Sequence, residues 1–493
     1  MGASMQGASL SSRAYPSEHP HEYPNGHSHY QYRRDRRDRR AMRRAHRSYQ
    51  RSAPSIRRRL DIFVPLLALF FGSAAPQVAA LSPSDPLPDP LTLEFALSLA
   101  DDPHPQMVER QAALEVAQAQ VEGISAQRGL RAKISARARW IEPKSSASYQ
   151  EHDDHSLRLT LRKSLWDSGR FPAALEAAQA LAESERGLLM DLRHQRRLSI
   201  LHGYFEVILA DLEFARENEA MAIAFIAANR AQERNAQGRV SDIEVFERES
   251  AYQRQRSIRF AADTRRRSSR SRLANLLNRP QELSPHLAPV PMSTRALPDL
   301  DEIQSEALAA NAALGAAQAR VEMREKRLEA ARSLERATLR GEIEAGVGSR
   351  PSSGSDIFRA GLSLDIPLFD GGRRAAEIAR ASAELAQAQA VLRMMRMDIR
   401  QSLLEDWLSV GNLQAERESA DAFAAWRDLY LDRSRALYEQ DVRADIGDAM
   451  VQISESTLRI ARADFERIMA LARIHALLGR DPEGLFEWLF GSE

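Results

Sequence analysis

The chain contains no cysteine, which excludes disulfides and thiolate metal sites, and also excludes a lipid-carrying cysteine behind a leader segment. It has no nucleophile–base pair, phosphate-binding loop or metal-ligand spacing in recognisable form, so no enzyme, cofactor or metal site is expected. A uniform charge excess is missing too, since the formal net charge is only +1. That figure hides an asymmetry. Residues 1–60 hold 14 arginines against 4 acids, whereas the body after residue 80 has 55 basic and 63 acidic residues. A body with an acidic surplus gives no support to nucleic-acid binding.

Long apolar runs are equally absent. The longest is Ile62 to Phe71, behind Arg57-Arg58-Arg59 and ahead of Val78-Ala79-Ala80. Ten apolar residues with Pro65 inside and Asp61 beside them fall short of the roughly 20 needed to span a bilayer as a helix. A basic flank, a short apolar core and a small-residue pair read instead as a signal peptide over 57–80, cleaved after Ala80. Residues 1–56 read as a disordered basic extension. A metal-binding tail using His19, His21, His27 and His29, or translation starting at Met42, are the other readings.

What is present is a duplication. Leu165-Trp166-Asp167-Ser168-Gly169-Arg170 returns 203 residues later as Leu368-Phe369-Asp370-Gly371-Gly372-Arg373. At the same offset Tyr204 maps onto Trp407 and Asp242-Ile243 onto Asp445-Ile446. A unit of about 200 residues is too long for a solenoid repeat. One elongated half has been doubled, over 91–280 and 299–482, with a proline-rich linker at 281–298 and a tail at 483–493.

Each half carries a helix, two alternating strands, a very long helix, a tip turn and a second helix. Ile134, Ala136, Ala138 and Trp140 alternate with Lys133, Ser135, Arg137 and Arg139, and Leu157, Leu159 and Leu161 with Arg158, Thr160 and Arg162. Period two with one apolar face predicts strands at about 132–140 and 156–163, and in the second half at about 338–348 and 357–366. A soluble half-exposed hairpin gives this pattern, and so does a membrane barrel with lipid outside and water inside. Export favours the barrel. Four strands cannot close one, because an open edge in lipid is forbidden, so copies must assemble, and a trimer with twelve strands is the simplest solution. From Arg374 to Val442 there is no proline and a single glycine, Gly411. About 65 helical residues make a rod near 100 Å.

Together with the two motifs Leu-Trp-Asp-Ser-Gly-Arg and Leu-Phe-Asp-Gly-Gly-Arg, this order resembles the TolC family of outer-membrane channel-tunnel proteins, over roughly 91–482. The resemblance implies a mainly α fold with a small β part: a trimeric 12-stranded outer-membrane β-barrel on a long periplasmic α-helical tube. It implies a gated passive duct of a tripartite export system, working with a periplasmic adaptor and an inner-membrane RND or ABC transporter. Small-molecule efflux and type I secretion of proteins are both open, and a structural coiled-coil scaffold of the envelope is the alternative. By the same resemblance Tyr438 and Arg443 tie the inner helices shut with Asp242 as acidic partner, while Asp445 and Asp448, tripled by symmetry, ring the periplasmic entrance. Gly238 and Arg239, with Asp441 and Val442 in the second half, are the adaptor-facing tips. Asp441 stands where the first half has Gly238. On the residues alone, Gly238 suits a left-handed helix end, and Ser241 or Asp242 suits a cap for the next helix.

Overall fold

The computed structural model describes residues 87–142, 152–280, 283, 285–293, 295–349, 357–439 and 446–491. The extension, the leader, and the tip residues Asp441, Val442, Arg443 and Asp445 lie outside the described residues, as does the side chain of Tyr438.

The first half runs α1 (Leu93–Ser98), α2 (Pro105–Gln127), β1 (Arg131–Trp140), β2 (Asp153–Trp166), α3 (Arg170–Ala236) and α4 (Asp242–Leu276). The second runs α5 (Leu300–Ala310), α6 (Ala312–Arg332), β3 (Thr338–Gly348), β4 (Phe358–Asp365), α7 (Arg373–Glu439) and α8 (Ile446–Leu477). A last short helix, α9 (Leu485–Phe490), occupies the stretch read as a tail. Its Leu485 and Leu489 are buried, and an apolar side of that kind is held only where it is covered.

Side-chain acceptors at the helix starts fix where the chain turns. Thr92 Oγ1 accepts from Phe95 N, Asp299 from Asp301 N and Asn311 Oδ1 from Leu314 N at 2.9 Å. Pro105 opens α2 at a position where its missing N–H costs nothing. The second helix of each half closes alike, with Asn278 at φ 56° and Gly479 at φ 64° just past α4 and α8. Left-handed backbone at this station satisfies the last carbonyls. At Gly479 a Cβ would stand 2.1 Å from the carbonyl oxygen of Ala310, so glycine is required for space as well as for φ.

The α3 and α7 helices are 67 residues each, or about 100 Å long. The main core surrounds their middles, not their ends. Leu91, Ile200, Leu201, Tyr204, Ile303, Leu403, Leu471 and Ile474 are all fully buried there. Stacked rings of Phe205 and Phe465, 4.2 Å apart, join the two halves at this waist. Tyr204 and Trp407, equated by the repeat, both use their polar heads to hold connecting chain. The Tyr204 hydroxyl lies 2.8 Å from the carbonyls of Leu91 and Ala288, and Trp407 Nε1 donates to Pro298 O at 3.2 Å.

The four strands form one antiparallel sheet in the order β1-β2-β3-β4, so β2 and β3 pair across the two halves. The register separates the faces over the central rungs, while Lys163, opposite Gly341, and His155, opposite Ala138, fall at the ends of the aliphatic side. On one face Arg131, Lys133, Ser135, Arg137 and Arg139 of β1 oppose Arg162, Thr160, Arg158, Ser156 and Asp154 of β2. Arg340, Glu342 and Glu344 of β3 continue this face, followed by Ser363, Gly361 and Arg359 of β4, with Asp365 opposite Thr338. The other face carries Ile134, Ala136 and Ala138, then Leu157, Leu159 and Leu161, then Leu339, Ile343 and Val347, then Leu362 and Leu364. Leu362 and Ile134 are 71% and 72% exposed in the single chain, which leaves the aliphatic face uncovered. Among the described residues, no helix is long and apolar enough to cross a membrane.

Candidate functional site

The predicted site residues fall in two places separated by the length of the long helices. The two hairpin-closing motifs stand where the sheet meets α3 and α7. In the first, Ser168 and Gly169 have φ of 57° and 90°, and the Asp167 carboxylate accepts from Phe171 N at 2.8 Å. In the second, Gly371 and Gly372 have φ of 68° and 88°, and the Asp370 carboxylate accepts from Arg374 N at 3.0 Å. Two successive left-handed residues turn a strand sharply into a helix, and the carboxylate then satisfies an orphan N–H of the first turn. Ser168, where the other half has glycine, holds this backbone with its hydroxyl donating to Ala337 O at 2.6 Å. Arg170 contributes its backbone N–H to Asp167 O. The guanidinium engaged in the second half belongs to Arg374, one residue past Arg373, with its Nε 2.8 Å from Asp370. The sequence motif alone did not single out Arg374.

At the far end of α3, Gly238 has φ 69°, and Arg239 N donates back to Arg234 O at 2.9 Å, closing the helix as a glycine at this position does. Ser241 is the cap of α4, its Oγ accepting from Glu244 N. Asp242 is the first residue of α4, and its Oδ1 accepts from Asn235 Nδ2 at 2.9 Å. The same Asn235 amide donates to Val240 O at 3.0 Å, so Asn235 and Asp242 tie the turn across its mouth. Sequence reasoning missed Asn235, although an amide seven residues ahead of a first-turn acid was there to be seen. Tyr438 lies in the last turn of α7, and Asp448 in the first turn of α8, exposed. Of the expected gate, only Asp242 and Asp448 therefore have described side chains. Beside Asp448, Gly447 packs against Ile223 of α3, where an added Cβ would meet that side chain at 3.1 Å.

Between waist and tip an ionic network crosses the halves. Arg216 of α3 pairs with Glu217 and with Glu455 of α8, Arg459 Nε donates to Glu455 at 2.8 Å, and Gln255 of α4 reaches Glu217. The i,i+4 pair Glu455–Arg459 was legible in sequence; its partner from the other half was not. At the waist His194 and His475 are buried edge to face, 6.4 Å apart, and Trp488 of α9 covers His475 at 5.0 Å. Burial, then the charge of Arg197, lowers the His194 pKa to about 4. Burial, then His194 and Arg480, lowers that of His475 to about 4. Burial likewise pushes the Tyr204 hydroxyl up to about 12. Among the described residues no His, Asp and Glu cluster could hold a metal ion.

Residues 303–480 match the family described as Outer membrane efflux protein. A membrane protein from Pseudomonas aeruginosa superposes with a TM-score of 0.65 at 19% identity, over 82% of this chain and 95% of that one. The CmeC outer membrane channel of Campylobacter jejuni superposes with a TM-score of 0.66 at 14% identity, over 81% of this chain and 90% of that one. The chain has the TolC-family fold. Its second repeat is similar to the outer membrane efflux protein family, and the mainly helical, duplicated architecture expected from sequence stands. Among curated relatives, Protein CyaE of Bordetella pertussis is 27% identical over 279 residues, which is 55% of this chain and 58% of that protein.

Proposed function

We propose that this chain is the outer-membrane channel of a tripartite export system, a passive duct through which an inner-membrane pump drives cargo. One observation carries the proposal: a four-stranded sheet shared by both halves has one charged face and one aliphatic face, and it sits on two helices of 67 residues. An aliphatic face this exposed needs lipid or protein over it. Four alternating strands leave β1 and β4 as the two edges, and an edge in hydrocarbon is forbidden. An even strand number lets β4 of one copy pair antiparallel with β1 of the next, with charged faces all turned inward. Three copies then give a twelve-stranded barrel in the outer membrane, within the range known for such barrels. The helices continue into the periplasm as a tube, whose tips meet the adaptor through Gly238, Arg239, Asp441 and Val442. Tyr438, Arg443, Asp242, Asp445 and Asp448 form the gate.

The duct works without chemistry of its own. Energy comes from the RND or ABC transporter, and the channel contributes a narrow water-filled path that widens when the adaptor seats. Purified protein inserted in a planar bilayer should give discrete conductance steps, and the protein should fractionate with the outer membrane as a trimer beginning at Leu81. A soluble monomer without conductance would overturn the reading.

A further inference from the structure

The charged face of the sheet is not balanced. The register sets eight basic side chains on it against four acids. Each acid is already engaged: Asp154 by Arg139 at 2.5 Å, Glu342 by Arg162 at 2.9 Å, Asp365 by Arg340 at 3.9 Å, and Glu344 by Arg158 at 2.6 Å. Glu344 is shared with Arg359 at 4.0 Å. The surplus sits on the edge strand β1, where Lys133 stands opposite Thr160, Arg137 opposite Ser156 and Arg131 opposite another arginine, Arg162. Lys133 and Arg137 are exposed and make no ion pair among the described residues. Nor does ring closure neutralise them, because the β4 face that a neighbouring copy would bring alongside carries one acid, Asp365.

We infer that the barrel interior is an anion-accepting passage and that this duct favours negatively charged cargo. The inference rests on the duct reading above, which turns this face to the lumen. Three copies triple the surplus of four positive charges per chain and confine it within low-dielectric walls. Such walls focus the field and raise the local concentration of counter-charged solute roughly tenfold to a thousandfold. The tip acids do not cancel this, because they lie about 100 Å away along the helices, many times the Debye length of about 10 Å in 0.1 M salt.

The test is current block in planar bilayers by poly-glutamate added on the barrel side, with poly-lysine as the opposite-charge probe. Poly-glutamate should block and poly-lysine should not, and the block should fade as potassium chloride is raised. In the double variant Lys133→Gln, Arg137→Gln the half-blocking concentration should rise about tenfold or more. Ser135→Glu, one acid placed between them, should act in the same direction and guards against a folding defect peculiar to the double variant. Pores that conduct but discriminate neither probe, or that are blocked equally in wild type and both variants, would overturn the anion passage and leave the duct standing. Protein that assembles but never conducts would overturn the duct and this inference with it.

Discussion

Asp167 and Asp370, 203 residues apart, make the same hydrogen bond: each carboxylate accepts from the backbone N–H four residues on, at 2.8 and 3.0 Å. The surrounding sequences differ, with Ser168-Gly169 in one half and Gly371-Gly372 in the other, yet the left-handed pair between strand and helix is kept. The duplication has thus preserved a joint. Each joint sets the angle at which a long helix leaves the sheet.

The two joints should differ in strength. Removing a helix-start acceptor typically costs about 0.5–2 kcal/mol. Asp370 also holds Arg374 Nε at 2.8 Å and Gly372 N at 3.2 Å, whereas Asp167 has Phe171 N alone among these stations. Asp370→Ala should therefore lower the midpoint of denaturant unfolding more than Asp167→Ala. Equal losses would remove Arg374 from the account.

Barrel facing is open to a paired test. Leu362 and Ser363 are neighbours on β4 and project to opposite faces. Arginine at a lipid-facing midplane site costs about 2–4 kcal/mol, and the proposed trimer would carry it three times. Leu362→Arg should sharply reduce the yield of assembled protein in the outer membrane, while Ser363→Arg should be tolerated. Similar yields would reject the orientation in which Leu159, Leu362 and Leu364 meet lipid and Arg158, Arg162, Arg340 and Glu342 line the lumen.

Strand positions, long helices and the doubled order were legible because each depends on local periodicity and on residues that punctuate it. Strand β3 begins at Thr338 and ends at Gly348, where alternation starts and stops. What depends on contact between distant segments was not legible. Nothing in the spacing of Arg216 announces Glu455, and nothing in Leu485 to Phe490 says that the helix docks beneath Arg295, whose guanidinium stacks 4.7 Å from Trp488. The C-terminal stretch therefore read as a tail. At the tip, Asp242 was visible as an acid at a helix start, but its Asn235 partner follows from how tightly Gly238 turns the chain.

The buried histidines make the waist acid-sensitive. An ordinary histidine titrates near 6.5, while His194 and His475 are held to about 4. Above about pH 6.5 both states are neutral and nothing changes. As pH falls from there towards 4 the unfolded chain takes up protons that the folded chain refuses, so stability is lost across that window. A tenfold difference in proton affinity between folded and unfolded chain corresponds to about 1.4 kcal/mol. The neighbours Arg197, Arg480 and Arg295 oppose protonation, and Asp481 favours it. His475→Gln should flatten the fall in melting temperature between pH 6.5 and 4 relative to wild type. An unchanged slope would show that other groups set the acid limit.

The last expectation concerns the tip, where two accounts of Asp242 compete. In the described structure its carboxylate accepts from Asn235 and so belongs to the turn. The gate account requires it to serve Arg443 of the second half as well, with Tyr438 alongside. A single exposed pair contributes only about 0–1 kcal/mol, but in the proposed trimer three symmetric copies would act on one opening, a closure both stable and releasable by an adaptor. Removing Asp242 and Arg443 together should raise single-channel conductance. Asn235→Ala separates the accounts, because it strips the turn of its amide donor and leaves the charges in place. If Asp242 only braces the turn, Asn235→Ala and Asp242→Ala should lower hairpin stability alike and leave conductance unchanged. If it holds the gate, conductance rises in the Asp242 and Arg443 variants and not with Asn235→Ala. Asp445 and Asp448 supply an independent readout. In the proposed trimer they would set six carboxylates around a narrow axis and attract multivalent cations, so replacing both with alanine should abolish block by such cations applied from the periplasmic side. Undiminished block would reduce them to ordinary charges at a helix start, which is the station Asp448 occupies in the first turn of α8.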